Sequence, residues 1–133
     1  MTYDIRNGTL LAIVLSLVLN LIVFFVGQLG LNVPFTVDSP LSPVSILPIV
    51  IATLVTIIGA GIVLWALQNS MGNFVRIFLW LAAIIGLLSL IPVYLLTFDK
   101  ASFFSLGLMH VFTASAAVYG LLYFSQCDDC EEA

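Results

Sequence analysis

Charge is what this chain has least of. Only 8% of its 133 residues are Asp, Glu, Lys or Arg, where a soluble domain carries about 25% because its surface must face water. A chain so poor in charge cannot clothe a globule in a hydrated shell, so its main solvent is lipid. Only three side chains, Arg6, Arg76 and Lys100, are cationic. That removes the basic surface a phosphate backbone requires, and excludes nucleic acid as a partner. There is one histidine, His110, and there are two cysteines, Cys127 and Cys130. No Ser-His-Asp, HExxH, P-loop or GxGxxG constellation occurs, so hydrolase and nucleotide chemistry has no residues to stand on and a non-catalytic protein is expected. The net charge of −4 is local, because Asp128, Asp129, Glu131 and Glu132 crowd the end of the chain.

What is present is apolar: 62% of the residues are hydrophobic, and they are gathered into four long runs. A bilayer core of about 30 Å needs about 20 apolar helical residues to cross it. Runs at about 9–27, 47–68, 74–96 and 102–124 meet that length, followed by an acidic tail over 125–133. A cleaved signal peptide is the rival reading of the first run, but Arg6 stands close to Asp4 and no A-x-A site follows. Asn7 or Thr9 is expected to cap the first helix and Ser102 the fourth. Between the first two runs, Gly30, Pro34, Pro40, Pro43 and Pro48 break any helix. That segment is a connector or a lid, and is the one loop long enough for either. The short polar stretch Gln68–Asn73 forces the second and third runs into a hairpin, and Pro92 weakens the end of the third. The expected fold is a single all-α integral membrane domain: an antiparallel four-transmembrane-helix bundle with one long Pro-rich loop between helices 1 and 2.

Four spans bring the N-terminus, the 68–75 turn and the C-terminus to one side, with Arg6 and Arg76. Lys100 is left alone on the other, so the positive-inside rule places both termini in the cytoplasm. Trp65, Tyr123 and Phe124 then belong to the inner aromatic belt, and Tyr94 and Phe98 to the outer one.

Helices in lipid associate by close packing, so small residues mark contact faces. Such stripes run through Ser16, Asn20 and Gly27; Ala52, Thr56 and Gly59; Ala82, Gly86 and Ser89; and His110, Thr113, Ala114 and Ala117. At about 1.5 Å of rise per residue, Asn20, Thr56 and His110 fall at similar depth. The expectation is one interior polar layer of Asn20, Thr56 and His110, with a neutral imidazole bonded to Asn20 or Thr56. A buried ionisable residue in a membrane also raises a functional alternative. A bis-histidine haem needs a second histidine, hence a second copy or a partner; a five-coordinate pigment magnesium needs only His110. Proton relay lacks an embedded carboxylate to receive the proton.

Cys127 and Cys130 have CxxC spacing, which suits a dithiol or half a metal site. The neighbouring acids disfavour thiolates, and no further Cys or His completes a four-coordinate zinc. A solvated acidic tail is the alternative. Quinone-linked thiol oxidoreductases with four helices need two such pairs, and small four-helix multidrug exporters need a Glu in helix one where this chain carries Asn20.

The Asn within VLNLIVFFV, the Pro-rich first loop, the run IATLVTIIGAGIVLWAL and the step Leu108-Met109-His110 together resemble a family of small four-helix bacterial membrane proteins of unknown function. The resemblance covers nearly the whole chain, apart from the CDDC ending. It implies the fold and carries no assigned activity. The expected role is an accessory or scaffolding subunit of a larger membrane complex, or a homo-oligomer, in a bacterial inner membrane and requiring no cofactor. The alternative is a haem- or chlorophyll-type pigment-binding subunit using His110.

Overall fold

The computed structural model describes residues 2–3, 5–32, 36–37, 42–43, 45–96, 100–124 and 126–127. They form four helices: α1 (Ile5–Phe25), which continues as a π-helical turn over Val26–Gly30; α2 (Ile46–Ser70); α3 (Phe74–Leu96); and α4 (Lys100–Val118), which continues as a π-helical turn over Tyr119–Phe124. All four are long and apolar enough to cross a membrane. Large apolar side chains such as Leu29, Val55, Trp80 and Leu87 are exposed on the outside of the bundle, where lipid is the fitting solvent.

The helix ends differ from the sequence reading in instructive ways. α1 starts at Ile5, so Asn7 and Thr9 lie inside it instead of capping it. Gly8 is buried within it, at a close crossing described below. α4 starts at Lys100, and Ser102 is an interior residue, fully buried. α2 begins before Pro48, which is tolerated because first-turn N–H groups have no intrahelical acceptor to lose. α1 ends where Asn32 takes a left-handed conformation (φ 52°), and Leu31 N–H turns back to the carbonyls of Val26 and Gly27 at 3.2 and 3.3 Å. Asn tolerates that conformation better than most residues, which makes it a natural stop. Most of the Pro-rich loop lies outside the described residues; within it, Thr36–Val37 pairs with Ser42–Pro43. Pro92 sits inside α3.

Packing joins the helices in three levels. Near the chain ends, Leu64, Phe78, Ala117, Leu121 and Leu122 form one buried cluster, with Ile5 and Phe74 against it. At the opposite end, Phe24, Ile49 and Met109 form a second. Between them lies a level of buried polar groups, Ser16, Asn20 and Thr53. The buried line of α1 is Gly8, Ala12, Ser16, Asn20 and Phe24, a four-residue spacing that keeps one face of a 3.6-residue helix inward. A Cβ on Gly120 would lie 2.7 Å from the Gly8 carbonyl oxygen and 2.9 Å from the Ala12 nitrogen. α1 and the end of α4 therefore meet backbone to backbone. Thr9 likewise rests on Gly61, where a Cβ would come within 2.7 Å of its hydroxyl. Beyond this crossing, Thr2 and Tyr3 pair with Cys127 and Gln126, which sets the two ends of the chain side by side.

Candidate functional site

The polar level is organised by Asn20, which is 2% exposed. Its Nδ2 donates to Thr53 Oγ1 on α2 at 3.0 Å and to Thr113 Oγ1 on α4 at 2.9 Å. An amide nitrogen carries two hydrogens, so these two bonds use them. The 3.5 Å approach to Ser16 Oγ is the weak remainder. Ser16 is held by Thr113 instead, at 3.0 Å. One side chain of α1 thus pins two other helices. Its Oδ1, however, is buried with no partner, an arrangement that costs about 1–3 kcal/mol.

The expected layer of Asn20, Thr56 and His110 is corrected on two points. Asn20 bonds to Thr53, not to Thr56, because the buried line of α2 is Ile49, Thr53, Ile57, Gly61 and Leu64. Thr56 stands about 60° off that line and is exposed. His110 does not bond to Asn20 either. Its Nδ1 lies 2.8 Å from the Leu106 carbonyl in its own helix. A carbonyl only accepts, so Nδ1 carries the hydrogen, and in the neutral ring Nε2 is left with a free lone pair. Ser16, Thr53 and Thr113 are the members that sequence reasoning missed or misassigned. Ser16 and Thr113 stood on the contact stripes read from the sequence without being placed in the layer, whereas Thr53 stood on none. Of the Cys127–Cys130 pair, only the backbone of Cys127 falls within the described residues. Among the described residues no three His, Cys, Asp or Glu side chains gather as a metal site.

Beside the polar level, α2 and α3 stand apart. A half-open cavity of about 710 Å³ lies between them, with α4 as its back wall and Asn20 of α1 at its floor. It opens between α2 and α3, since its rims include Val55 and Ile85, which are 67% and 57% exposed. The small residues Ala52, Thr56 and Gly59 of α2 and Ala82, Gly86 and Ser89 of α3, read from sequence as contact faces, line this space. A Cβ on Gly59 would meet nothing within 4 Å. Val63, Phe78 and Ala117 lie towards one end and Pro48, Pro92 and Val93 towards the other. His110, Ser89, Thr56 and Thr113 supply its polar lining with Asn20, and none of the described residues around it is an acid, lysine or arginine. The volume and the character, mostly apolar with a few polar groups, are those of a small-molecule site.

Over residues 2–125 the sequence matches a family of unknown function, DUF6069. The chain belongs to that family. No curated protein and no solved structure matches it. Membership accounts for nearly the whole chain and assigns no activity, so any function has to be argued from the site.

Proposed function

We propose that this DUF6069 protein is a non-catalytic integral membrane protein that takes an apolar ligand from the bilayer into the cavity between α2, α3 and α4. The observation that carries the proposal is the cavity itself. It is large, uncharged, open towards lipid between two spans, and has its polar groups at the level of the Asn20 pin. Lipid-soluble molecules have direct access to such an opening, while hydrated ions and charged metabolites would have to shed water against an apolar wall. Gly59→Phe is the test, because a Cβ there would meet nothing within 4 Å and a ring carried on it would take up cavity volume. Native mass spectrometry of the protein released from nanodiscs should show a retained lipid-soluble molecule in the wild type and its loss in Gly59→Phe. Equal occupancy in both would remove the cavity from consideration.

In this reading the four spans cross in alternating directions, with both termini at the cytoplasmic face of a bacterial inner membrane. The adjacency of Thr2–Tyr3 and Gln126–Cys127 supports a shared side, and Arg6 and Arg76 against Lys100 support the cytoplasm. Impermeant thiol reagents applied to intact cells should leave Cys127 and Cys130 unlabelled; ready labelling would invert the assignment.

Two other readings have an observation each. Metal-bound imidazoles commonly donate their second nitrogen to a carbonyl, as His110 does to Leu106, and that favours a haem or pigment held through Nε2. An absorption spectrum with a Soret or chlorin band, lost in His110→Ala, would establish it. The accessory-subunit reading draws on α3, whose Trp80, Leu87 and Leu95 are exposed; stoichiometric copurification of a membrane partner would support it, and its absence from gentle extracts would not.

A further inference from the structure

We infer that the cavity selects an uncharged, hydroxyl-bearing lipid, an apolar alcohol or phenol, whose O–H donates to His110 Nε2. The inference rests on the cavity being a ligand site and adds what that site recognises. Its basis is the hydrogen-bond balance of the polar lining. His110 Nδ1 is committed to the Leu106 carbonyl at 2.8 Å, so the imidazole faces a ligand as an acceptor. Ser89 Oγ gives its hydrogen to the Gly86 carbonyl at 2.7 Å, which leaves oxygen lone pairs. Asn20 spends both amide hydrogens on Thr53 and Thr113, and its Oδ1 is buried without a partner. Two cavity-lining side chains, His110 and Ser89, therefore hold unspent acceptors, while the buried Asn20 presents neither a free amide hydrogen nor an accessible oxygen.

These groups share a level. Positions 86 and 114 approach across α3 and α4, as do 90 and 107, each glycine's Cβ lying 3.9 Å from its neighbour. Ser89 and His110 lie between those two contacts along their helices. Thr113, one turn from His110, is the residue that Asn20 holds. A ligand entering between α2 and α3 would bring its hydroxyl to this band and leave its apolar tail in the bilayer. A ketone or ether of the same shape offers no hydrogen to His110 Nε2 or Ser89 Oγ and would have to accept instead, from the Thr56 or Thr113 hydroxyl. A carboxylate or phosphate would bring an unpaired charge, since no cation is among the described residues that line the cavity.

The experiment compares geranylgeraniol, its methyl ether and the matching carboxylic acid as their binding to the full-length protein in nanodiscs, at a pH where the acid is ionised. One hydrogen bond corresponds to roughly fivefold in affinity, so the alcohol should bind about fivefold tighter than the ether, with the carboxylate weakest. In His110→Phe, similar in size and without an acceptor, that ratio should fall to about one while the ether still binds. Gly59→Phe should abolish binding of both. Equal binding of alcohol and ether to the wild type overturns donor selection and leaves the cavity reading intact. Binding indifferent to Gly59→Phe, or no binding of either probe, overturns the cavity reading and the inference with it. A ratio unchanged in His110→Phe removes His110 as the recognising group.

Discussion

α1 and α4 close on each other, while α2 and α3, furnished with equally small residues, do not. Gly8, Ala12 and Gly120 bring two backbones into contact. Ala52, Gly59, Ala82 and Gly86 border an open cavity instead. In lipid there is no hydrophobic gain from pressing two helices together, so small side chains permit an approach without compelling it. The closed seam has additional ties: a glycine set directly against a carbonyl, and an asparagine bonded across to Thr113. Beside the cavity Ser89 bonds within its own helix, to the Gly86 carbonyl, and bulky residues lie towards both ends of the opening. Small residues are therefore a necessary sign of contact and an insufficient one. The same stripe serves a seam or a site according to what faces it.

The contrast breaks most sharply at two glycines. In Gly120→Ala the new methyl would meet the Gly8 carbonyl oxygen, the Ala12 nitrogen and the Ala12 Cβ at 2.7 to 2.9 Å. Two of those atoms belong to backbone and cannot swing away, so α1 and α4 must separate. The expected loss is at the upper end of overpacking penalties, about 3 kcal/mol. Gly59→Ala enters open space and removes a poor helix former, so stability should stay level or rise by up to about 1 kcal/mol. Unfolding in mild detergent, followed by circular dichroism against temperature or added SDS, measures both. Similar modest losses at the two positions would erase the distinction between seam and cavity.

Sequence made the spans legible because lipid imposes a length and a composition on them. Gln68, Asn69, Gly72 and Asn73 mark the hairpin between α2 and α3 as polar breaks in otherwise apolar text. The rotation of each helix was not legible. α2 is apolar around most of its circumference, so nothing in its pattern says that Thr53 faces inward and Thr56 does not. The cavity was hidden for the same reason: Ala52 and Gly59 carry no mark of whether a helix or an empty space lies opposite. His110 was legible as unusual, yet its partner is a carbonyl four residues back, a bond sequence never displays because any residue could supply it. The π-helical turn that carries Gly120 towards Gly8 has no signature in YGLLYF either.

A smaller effect tests the Asn20 pin. Asn20→Leu removes two interhelical bonds, and such bonds in membranes average about 0.6 kcal/mol with a maximum near 1.7. A double-mutant cycle of Asn20→Leu with Thr113→Val should show a coupling of that order, since the two side chains touch at 2.9 Å. The cycle with His110→Leu should show a smaller coupling than that with Thr113→Val, because Asn20 and His110 border the same cavity but share no hydrogen bond. Coupling to His110 as large as that to Thr113 would return the histidine to the polar layer and take it from the cavity wall.

The rotation of α2 is decided by comparison with Thr56, where the smallest effect is expected. Thr53→Val keeps the shape of the side chain and removes the acceptor that Asn20 Nδ2 reaches at 3.0 Å. That leaves a buried amide hydrogen without a partner, a loss of about 1–2 kcal/mol. Thr56→Val makes the same chemical change three residues on, where the side chain is exposed. Its effect should lie within about 0.5 kcal/mol of zero. The two substitutions are identical in volume and helix propensity, so their difference reports only which threonine faces α1. Turning α2 by about 60° would exchange their roles. A larger loss at Thr56 than at Thr53 would therefore mean that α2 is turned by about 60°, with Thr56 towards α1 and Gly59 in the cavity-lining place that Thr56 holds here.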